Sequence, residues 1–164
     1  MANTDKFLIG IVIGILLLVV VALVITLIRP EPTYQAEHGP KNIAHNYLLA
    51  LQRQDYARAY GYLSPTLDGY PDSADEFTQD VYQASSWLFD LDEDTSLAVE
   101  SARVTGERAV VKVRESHFDD DGLFGSDPYT SVFEIKLQKE ENEWKIVDAD
   151  SYFVWCWKRS TKCP

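Results

Sequence analysis

The chain has 164 residues and a formal net charge of −11, from 15 Lys and Arg against 26 Asp and Glu. This excess of negative charge repels phosphate backbones and anionic lipid headgroups, which argues against nucleic-acid binding and against a domain that lies flat on a membrane. Aromatic residues make up 12% of the chain, so a packed core can form and the composition does not indicate disorder.

The first predicted element is an apolar helix at residues 7–28, FLIGIVIGILLLVVVALVITLI, which follows a short N-terminal tail at residues 1–6. The stretch has no charged side chain, and as an α-helix it would span about 33 Å, close to the roughly 30 Å of a bilayer core. It is longer than the apolar region of a signal peptide and no Ala-x-Ala site follows it, so we predict an uncleaved transmembrane anchor. Gly10 and Gly14 form a Gly-x-x-x-Gly pair in it, a pattern that favours close helix packing and a homodimer.

The two flanks of the predicted anchor carry almost balanced charge, so the positive-inside rule indicates its orientation only weakly. A short N-terminal tail, an acidic C-terminal part and two cysteines in that part favour a cytoplasmic N-terminus. We therefore expect a single-pass protein of the cell membrane whose C-terminal domain lies outside the cytoplasm.

A linker is predicted at residues 29–39, RPEPTYQAEHG, because this stretch has two prolines and no apolar periodicity. The domain predicted at residues 40–164 begins with three helical patterns. Pro40 opens the first, Asp55 is placed to cap the second, and a capping box from Ser73 to Glu76 starts the third.

From Thr95 the apolar period changes from 3.6 to 2 residues, which is typical of strands. Strands are predicted at residues 96–104, 108–118 and 129–139, and a fourth begins at Trp144 and is extended or followed by residues 152–157. Tight turns are predicted at residues 105–107 and 140–143. Helices followed by antiparallel strands predict an α+β fold rather than a βαβ series.

Two stretches resemble domains of the nuclear transport factor 2-like superfamily. Residues 46–65, NYLLALQRQDYARAYGYLSP, are similar to its two-helix start, and residues 137–150, LQKEENEWKIVDAD, are similar to its closing strands. The resemblance covers residues 40–150 and implies a cystatin-like cone, in which three helices pack on a strongly bent antiparallel sheet and leave a concave pocket. Some members of the superfamily are ketosteroid isomerases or dehydratases, and many membrane-tethered bacterial members are not enzymes.

The resemblance implies two non-enzymatic functions for such a domain. In one, the domain is a module for protein interaction and assembly at the outer face of the membrane, similar to the inner-membrane scaffold proteins of type IV secretion machines. In the other, the pocket binds a small apolar ligand. Exposed aromatic residues on the outer face of the sheet would favour the first function, and an apolar cavity would favour the second.

An isomerase or dehydratase is the less favoured alternative, since it would need a general base and an oxyanion stabiliser inside the cone. Alternation places Glu115 and His117 on the same face of the second strand as its apolar residues, which makes them a candidate acid–base pair. Tyr129 and Asp148 are candidate neighbours. The simpler interpretation is a solvated strand end, so we expect a domain that is not an enzyme.

The acidic stretch at residues 119–127, DDDGLFGSD, offers Asp119, Asp121 and Asp127 as ligands for a hard cation such as calcium. Its spacing does not fit an EF-hand loop, and an acidic hairpin tip is the favoured interpretation. The scattered histidines indicate no zinc site, and no phosphate-binding loop or other cofactor motif is present in the sequence.

The two cysteines, Cys156 and Cys163, are predicted to form a disulfide. The residues between them are enough for the chain to turn back and bring the two Cα atoms within the roughly 4.4–6.8 Å that a disulfide requires. The prediction depends on a location outside the cytoplasm. Two free thiols and an intermolecular bridge through Cys163 are the alternatives.

Overall fold

The computed structural model describes residues 2–27, 31–89, 95–117, 129–159 and 163. It divides into two compact units, Met1–Thr33 and Tyr34–Pro164. The acidic candidates Asp119, Asp121 and Asp127 lie outside the described residues, as does Ile28 at the end of the predicted anchor.

The first unit contains one helix, α1 (Ala2–Leu27). The side chains that the structure describes in α1 are those of residues 8–24, and its large apolar side chains in this range are between 45% and 71% exposed. Within the described part of the chain, no helix is long and apolar enough to cross a membrane. The predicted transmembrane helix is therefore not supported by this structure.

The second unit begins with the three helices that the sequence predicts: α2 (Pro40–Gln52), α3 (Tyr56–Gly61) and α4 (Ala74–Leu88). Their N-termini are those expected from the capping residues. The Asp55 side chain accepts a hydrogen bond from the backbone N–H of Arg58, and Ser73 Oγ accepts one from that of Glu76. Each cap satisfies an N–H that has no partner inside its helix, which fixes where the helix begins.

A four-stranded antiparallel sheet follows, with strands β1 (Thr95–Thr105), β2 (Arg108–His117), β3 (Tyr129–Glu140) and β4 (Glu143–Ala149) adjacent in chain order. The α+β fold is thus confirmed. The register of the β1–β2 pair shifts between Val99 and Ser101, and that of the β3–β4 pair shifts between Lys136 and Leu137. Irregularities of this kind increase the local twist of a sheet.

One face of the sheet forms the core together with the helices. Burial alternates along β2 and β3 as predicted, with Val111 and Val113 of β2 fully buried and Lys112 between them exposed. On β3 the buried residues are Phe133, Ile135 and Leu137. The opposite face of the sheet, called the outer face below, carries mostly polar side chains.

The compact unit starts at Tyr34, within the predicted linker, rather than at Pro40. Asn46 is the reason: its side chain is fully buried on α2 and pairs with the backbone of Gln35 through two hydrogen bonds of 2.7 and 2.8 Å. The Tyr34 ring lies 3.7 Å from the guanidinium carbon of Arg58. The sequence showed no apolar periodicity here because polar contacts hold this segment.

The last segment differs from its prediction. Residues 152–157 do not extend the sheet; a bend at residues 150–153 leads into a 3-10 helix, Trp155–Lys158, so the described residues contain one helix more than predicted. Its alternation was misleading because nearly every side chain here is buried. The buried ones are Tyr152, Phe153, Val154, Cys156 and Trp157.

Candidate functional site

The inner face of β2 continues from its buried valines to Glu115 and His117, as alternation predicts. The Glu115 side chain is 13% exposed and that of His117 is 35% exposed. Their partners in the sheet are residues of the flanking strands: Glu115 lies opposite Leu97 on β1 and Ser131 on β3. A carboxylate is therefore held close to the core, near one end of the sheet.

The two side chains contact each other directly. His117 Nε2 lies 3.2 Å from Glu115 Oε1, and His117 Nδ1 lies 3.1 Å from the hydroxyl of Thr95. In the tautomer with its proton on Nε2, the imidazole donates to the carboxylate and accepts from Thr95. Ser131 Oγ donates to the other carboxylate oxygen at 3.0 Å.

Tyr152 completes the cluster, and the sequence did not indicate it. Its hydroxyl donates to Glu115 Oε1, while its ring packs against Phe133 with centroids 5.5 Å apart. Tyr152 is 2% exposed and has φ of +60°, a left-handed conformation that bulky residues rarely adopt. This turn brings the ring back over the inner face of the sheet, which strand alternation could not reveal.

Tyr47 on α2 supports the turn from the other side. Its hydroxyl donates to the Tyr152 carbonyl at 2.6 Å, inside the core. Burial raises the pKa of Tyr47 well above its ordinary value of 10.0, so the phenol stays protonated and donates this bond. A contact between residues 105 positions apart thus fixes the backbone that carries the Tyr152 ring.

The other two candidates lie in different surroundings. Tyr129 is opposite His117 in the sheet, with ring centroids 6.5 Å apart, but it is 68% exposed. Asp148 is opposite Lys136 and pairs with it at 3.0 Å on the outer face, where Lys158 also contacts it. The structure therefore does not bring Asp148 to Glu115, because the β4 register places it on the opposite side of the sheet.

The geometry around Glu115 limits its chemistry. Both oxygens interact with side chains of the protein itself: Oε1 with Tyr152 and His117, and Oε2 with Ser131. A general base must have an oxygen within hydrogen-bond reach of a substrate proton. Glu115 in this arrangement joins β2, β3 and the C-terminal segment, and a substrate would have to displace one of these contacts.

The core beside α4 is filled by the C-terminal segment. Trp157 is fully buried and stacks on Phe77 with centroids 5.0 Å apart. Its indole N–H donates to Asp80 Oδ2 at 2.8 Å, and the Phe153 ring packs edge-on against it. The chain's own aromatic side chains thus occupy interior space.

Three surface depressions are lined by described residues, and none of them includes Glu115, His117 or Tyr152 in its lining. Their volumes are about 490, 370 and 120 Å³. The largest lies on the outer face of the sheet, and charged or hydroxyl side chains contribute to it. Its lining residues are Ser101, Ala102, Arg103, Val110, Lys112 and Glu134.

The remaining predicted site residues have the following outcomes. Cys156 and Cys163 are joined in a disulfide, with Cα atoms 5.4 Å apart. Among the described residues, no group of three or more His, Cys, Asp or Glu side chains could hold a metal ion. Gly10 and Gly14 have open space around them within the chain, since an added Cβ at either would meet nothing within 4 Å.

No protein-family model matches the chain, and no curated protein matches it. Among solved structures, it is similar to a SEC-C motif-containing protein from Rhodopseudomonas palustris, with 16% identity, 73% of this chain and 83% of that chain covered, and a TM-score of 0.47. It is also similar to a nuclear transport factor 2-like protein of unknown function from Shewanella oneidensis (15% identity, 65% and 90% covered, TM-score 0.41). A third is a protein of unknown function with a cystatin-like fold from Nostoc punctiforme (12% identity, 65% and 82% covered, TM-score 0.44).

Proposed function

We propose that this chain is a single-pass membrane-anchored protein whose C-terminal domain, a non-catalytic member of the nuclear transport factor 2-like superfamily, binds another protein at the outer face of the cell membrane. The observation that carries the non-catalytic part is that both oxygens of the Glu115 carboxylate already accept hydrogen bonds from side chains of the protein itself. Its carboxylate interacts with Tyr152, His117 and Ser131, and the adjacent core is filled by the aromatic side chains of the C-terminal segment.

The anchor is supported by the sequence of α1. Residues 7–28 contain no charged side chain, and a continuous α-helix over all of them would span about 33 Å, close to the thickness of a bilayer core. The described side chains of α1 cover only residues 8–24 of this stretch. In α1 the large apolar side chains of residues 8–24 are at least 45% exposed, and water is an unfavourable environment for so many of them. Lipid is the surrounding that suits a helix that is apolar on all sides.

The orientation is supported by the disulfide. Cysteine pairs are kept reduced in the cytoplasm, whereas they persist as disulfides outside it. The Cys156–Cys163 bond closes beside the buried Trp157, so an oxidising compartment would hold the C-terminal segment in the core. We therefore propose that the domain is extracytoplasmic.

An alkaline carbonate wash of membranes, followed by affinity purification of the full chain after chemical cross-linking, tests the proposal. We expect the chain to stay in the washed membranes and to bring down the same cross-linked protein from repeated preparations. A Leu17→Arg, Val21→Arg variant should be released, since each charge near the centre of a span costs about 2.5–3.5 kcal/mol. A Glu115→Gln variant should retain both properties.

Release of the unaltered chain by carbonate would contradict the anchor. Recovery of the chain alone in every cross-linked preparation would contradict the interaction. Partner recovery that is lost in Glu115→Gln, while thermal unfolding is unchanged, would show that Glu115 acts at the surface rather than within the fold.

A lyase or isomerase that uses Glu115 and His117 is the second candidate, favoured by their 3.2 Å contact and the Tyr152 hydroxyl beside them. It requires a substrate oxygen to replace a protein donor at Glu115. A small apolar ligand is less well supported, since the largest of the three depressions described above is lined in part by Arg103, Lys112 and Glu134. Loss of a measured lyase or isomerase activity in Glu115→Gln, with thermal unfolding unchanged, would favour the enzyme.

A further inference from the structure

The outer face of the sheet concentrates positive charge around one residue, Val110. Arg108 and Lys112 are the next outward residues on the same strand, β2. Arg103 on β1 and Lys136 on β3 are the direct partners of Val110 in the two neighbouring strands. Directly opposite residues have Cβ atoms about 4.5–5.5 Å apart, so these four side chains surround Val110 on one face. We call them the basic cluster.

Among the described residues, only half of the basic cluster is neutralised by acidic side chains. Lys112 lies 3.9 Å from Glu134, and Lys136 lies 3.0 Å from Asp148. Arg103 and Arg108 are exposed, and neither side chain forms an ion pair or hydrogen bond with another described residue. Diagonal neighbours on paired strands lie about 7–8 Å apart, so Arg103 is near both Arg108 and Lys112, and a bound anion would offset the repulsion between these like charges.

The cluster contrasts with the rest of the chain. Residues 34–89, which include the three helices, contain three Lys and Arg against seven Asp and Glu. The whole chain has a net charge of −11. Four of the Lys and Arg residues of an acidic chain are therefore grouped around one position on the outer face of the sheet.

The cluster borders a shaped surface. The depression of about 490 Å³ on the outer face is lined by Arg103, Val110 and Lys112 of this region, with Ser101 providing a hydroxyl and Glu134 one acidic side chain. Val132 on β3 faces the same side and is 55% exposed. An extended segment lying there would meet cationic groups and two apolar contacts.

From these observations we propose that the basic cluster, with the depression beside it, binds a short acidic segment of a partner protein through its carboxylates. The inference rests on the proposed function, since it names the chemistry of the partner. Arg guanidinium groups suit this role because they bind carboxylates through two parallel hydrogen bonds. A long polyanion such as RNA, or an anionic membrane, is repelled by the net charge of −11 of the whole chain, whereas a short segment interacts mainly with the cluster itself.

Fluorescence anisotropy of the full chain in neutral detergent micelles tests the site. The probe is a short labelled peptide of alternating Glu and Val. The control peptide has the same sequence with Gln in place of Glu. The test variant is Arg103→Gln with Arg108→Gln. The matched control is Arg53→Gln with Arg159→Gln, which changes the net charge equally at exposed positions outside the sheet.

We expect the Glu peptide to bind, with an affinity that falls as salt is added, and the Gln peptide to bind much more weakly. Removing two surface ion pairs should weaken binding roughly tenfold in the test variant and less than twofold in the control. The test variant should unfold at a temperature no lower than that of the unaltered chain, since no hydrogen bond or ion pair among the described residues involves the Arg103 or Arg108 side chain. The control removes two exposed cation–π contacts, Arg53 with Tyr34 and Arg159 with Trp155, so its unfolding temperature should fall slightly.

Three results would overturn the inference: no binding of the Glu peptide, an equal loss in both double variants, or binding of vesicles rich in anionic lipid in place of the peptide. The cross-linking experiment distinguishes failure of the proposed acidic-segment site from failure of the proposed function. If the partner is recovered equally well with Arg103→Gln, Arg108→Gln, the cluster is not the docking site and the proposed function stands. If the peptide binds but no partner is ever recovered, the proposed function fails.

Discussion

Tyr152 shows how a single residue connects the parts of this domain. Its backbone has φ of +60°, which is strained for an aromatic residue and persists only where surrounding contacts enforce it. The contacts are the Tyr47 hydroxyl on its carbonyl and the Phe133 ring against its own ring. The strained turn in return brings its hydroxyl to Glu115.

Replacing Tyr47 with Phe tests this connection. The variant leaves the buried Tyr152 carbonyl without its 2.6 Å donor, so we expect the free energy of unfolding at pH 7 to fall by about 1–3 kcal/mol. Urea denaturation of the full chain in detergent micelles measures the change. Tyr129→Phe is the matched control, because the Tyr129 side chain is 68% exposed and its hydroxyl should contribute less than about 0.5 kcal/mol.

The same variant has a defined pH dependence. Because burial raises the pKa of Tyr47 in the folded state, its contribution is fully present below 10.0 and is lost as the pH rises further, where the unfolded chain releases this proton first. The difference between Tyr47→Phe and the unaltered chain should therefore narrow above pH 10. Burial lowers the pKa of Lys158, but both proteins keep Lys158 and its effect cancels. A constant difference up to pH 11 would contradict the buried, protonated phenol.

Among the elements, the strands were readable from the sequence and the C-terminal segment was not. Strict alternation identified the inner face of β2, including Glu115 and His117, because each successive strand residue points to the opposite side. Tyr152 and Trp157 gave no such signal, since a positive φ and a 3-10 helix follow no two-residue period. The segment at Tyr34 was missed because Asn46, a polar residue, is what fastens it.

The disulfide holds the C-terminal segment in place, and its removal is the prediction for this element. Cys156→Ser with Cys163→Ser should lower the free energy of unfolding by about 2–3 kcal/mol in the chain-entropy model for so short a loop. Trp157 adjoins Cys156, so its fluorescence should shift toward that of a solvated indole at lower urea in the variant. Reduction of the unaltered chain should reproduce the effect. Identical unfolding curves with and without reductant would show that aromatic packing alone secures the segment.

At the scale of the whole molecule, the chain separates its chemistry along the sequence. Apolar side chains dominate α1, acidic ones dominate residues 34–89, and the outer face of the sheet carries the basic cluster. Each of the three surfaces suits a different neighbour: lipid or another apolar helix, water, and an acidic segment. The apolar character of α1 and the acidic character of residues 34–89 can be read from the sequence alone. The grouping of four cations around Val110 appears only once the strand register is known.

The last prediction concerns association between copies of α1. An added Cβ at Gly14 meets nothing within 4 Å, so a side chain there begins in open space. Any effect of Gly14→Ile therefore reports on packing against another helix, where small residues let two backbones approach closely. We expect the variant to weaken homodimerisation several-fold in a membrane two-hybrid assay. Leu16→Ile is the matched control, since it places the same side chain about 200° around the helix from Gly14.

Comparing the two variants decides what the glycine pair does. A signal that falls in Gly14→Ile and not in Leu16→Ile assigns the dimer contact to the face that carries Gly10 and Gly14. Unchanged association in both variants would remove this motif as a cause of dimerisation, and an equal loss in both would point to insertion of the helix rather than to its packing. Immunoblots of the washed membranes distinguish this last result, because a chain that fails to insert is missing from them.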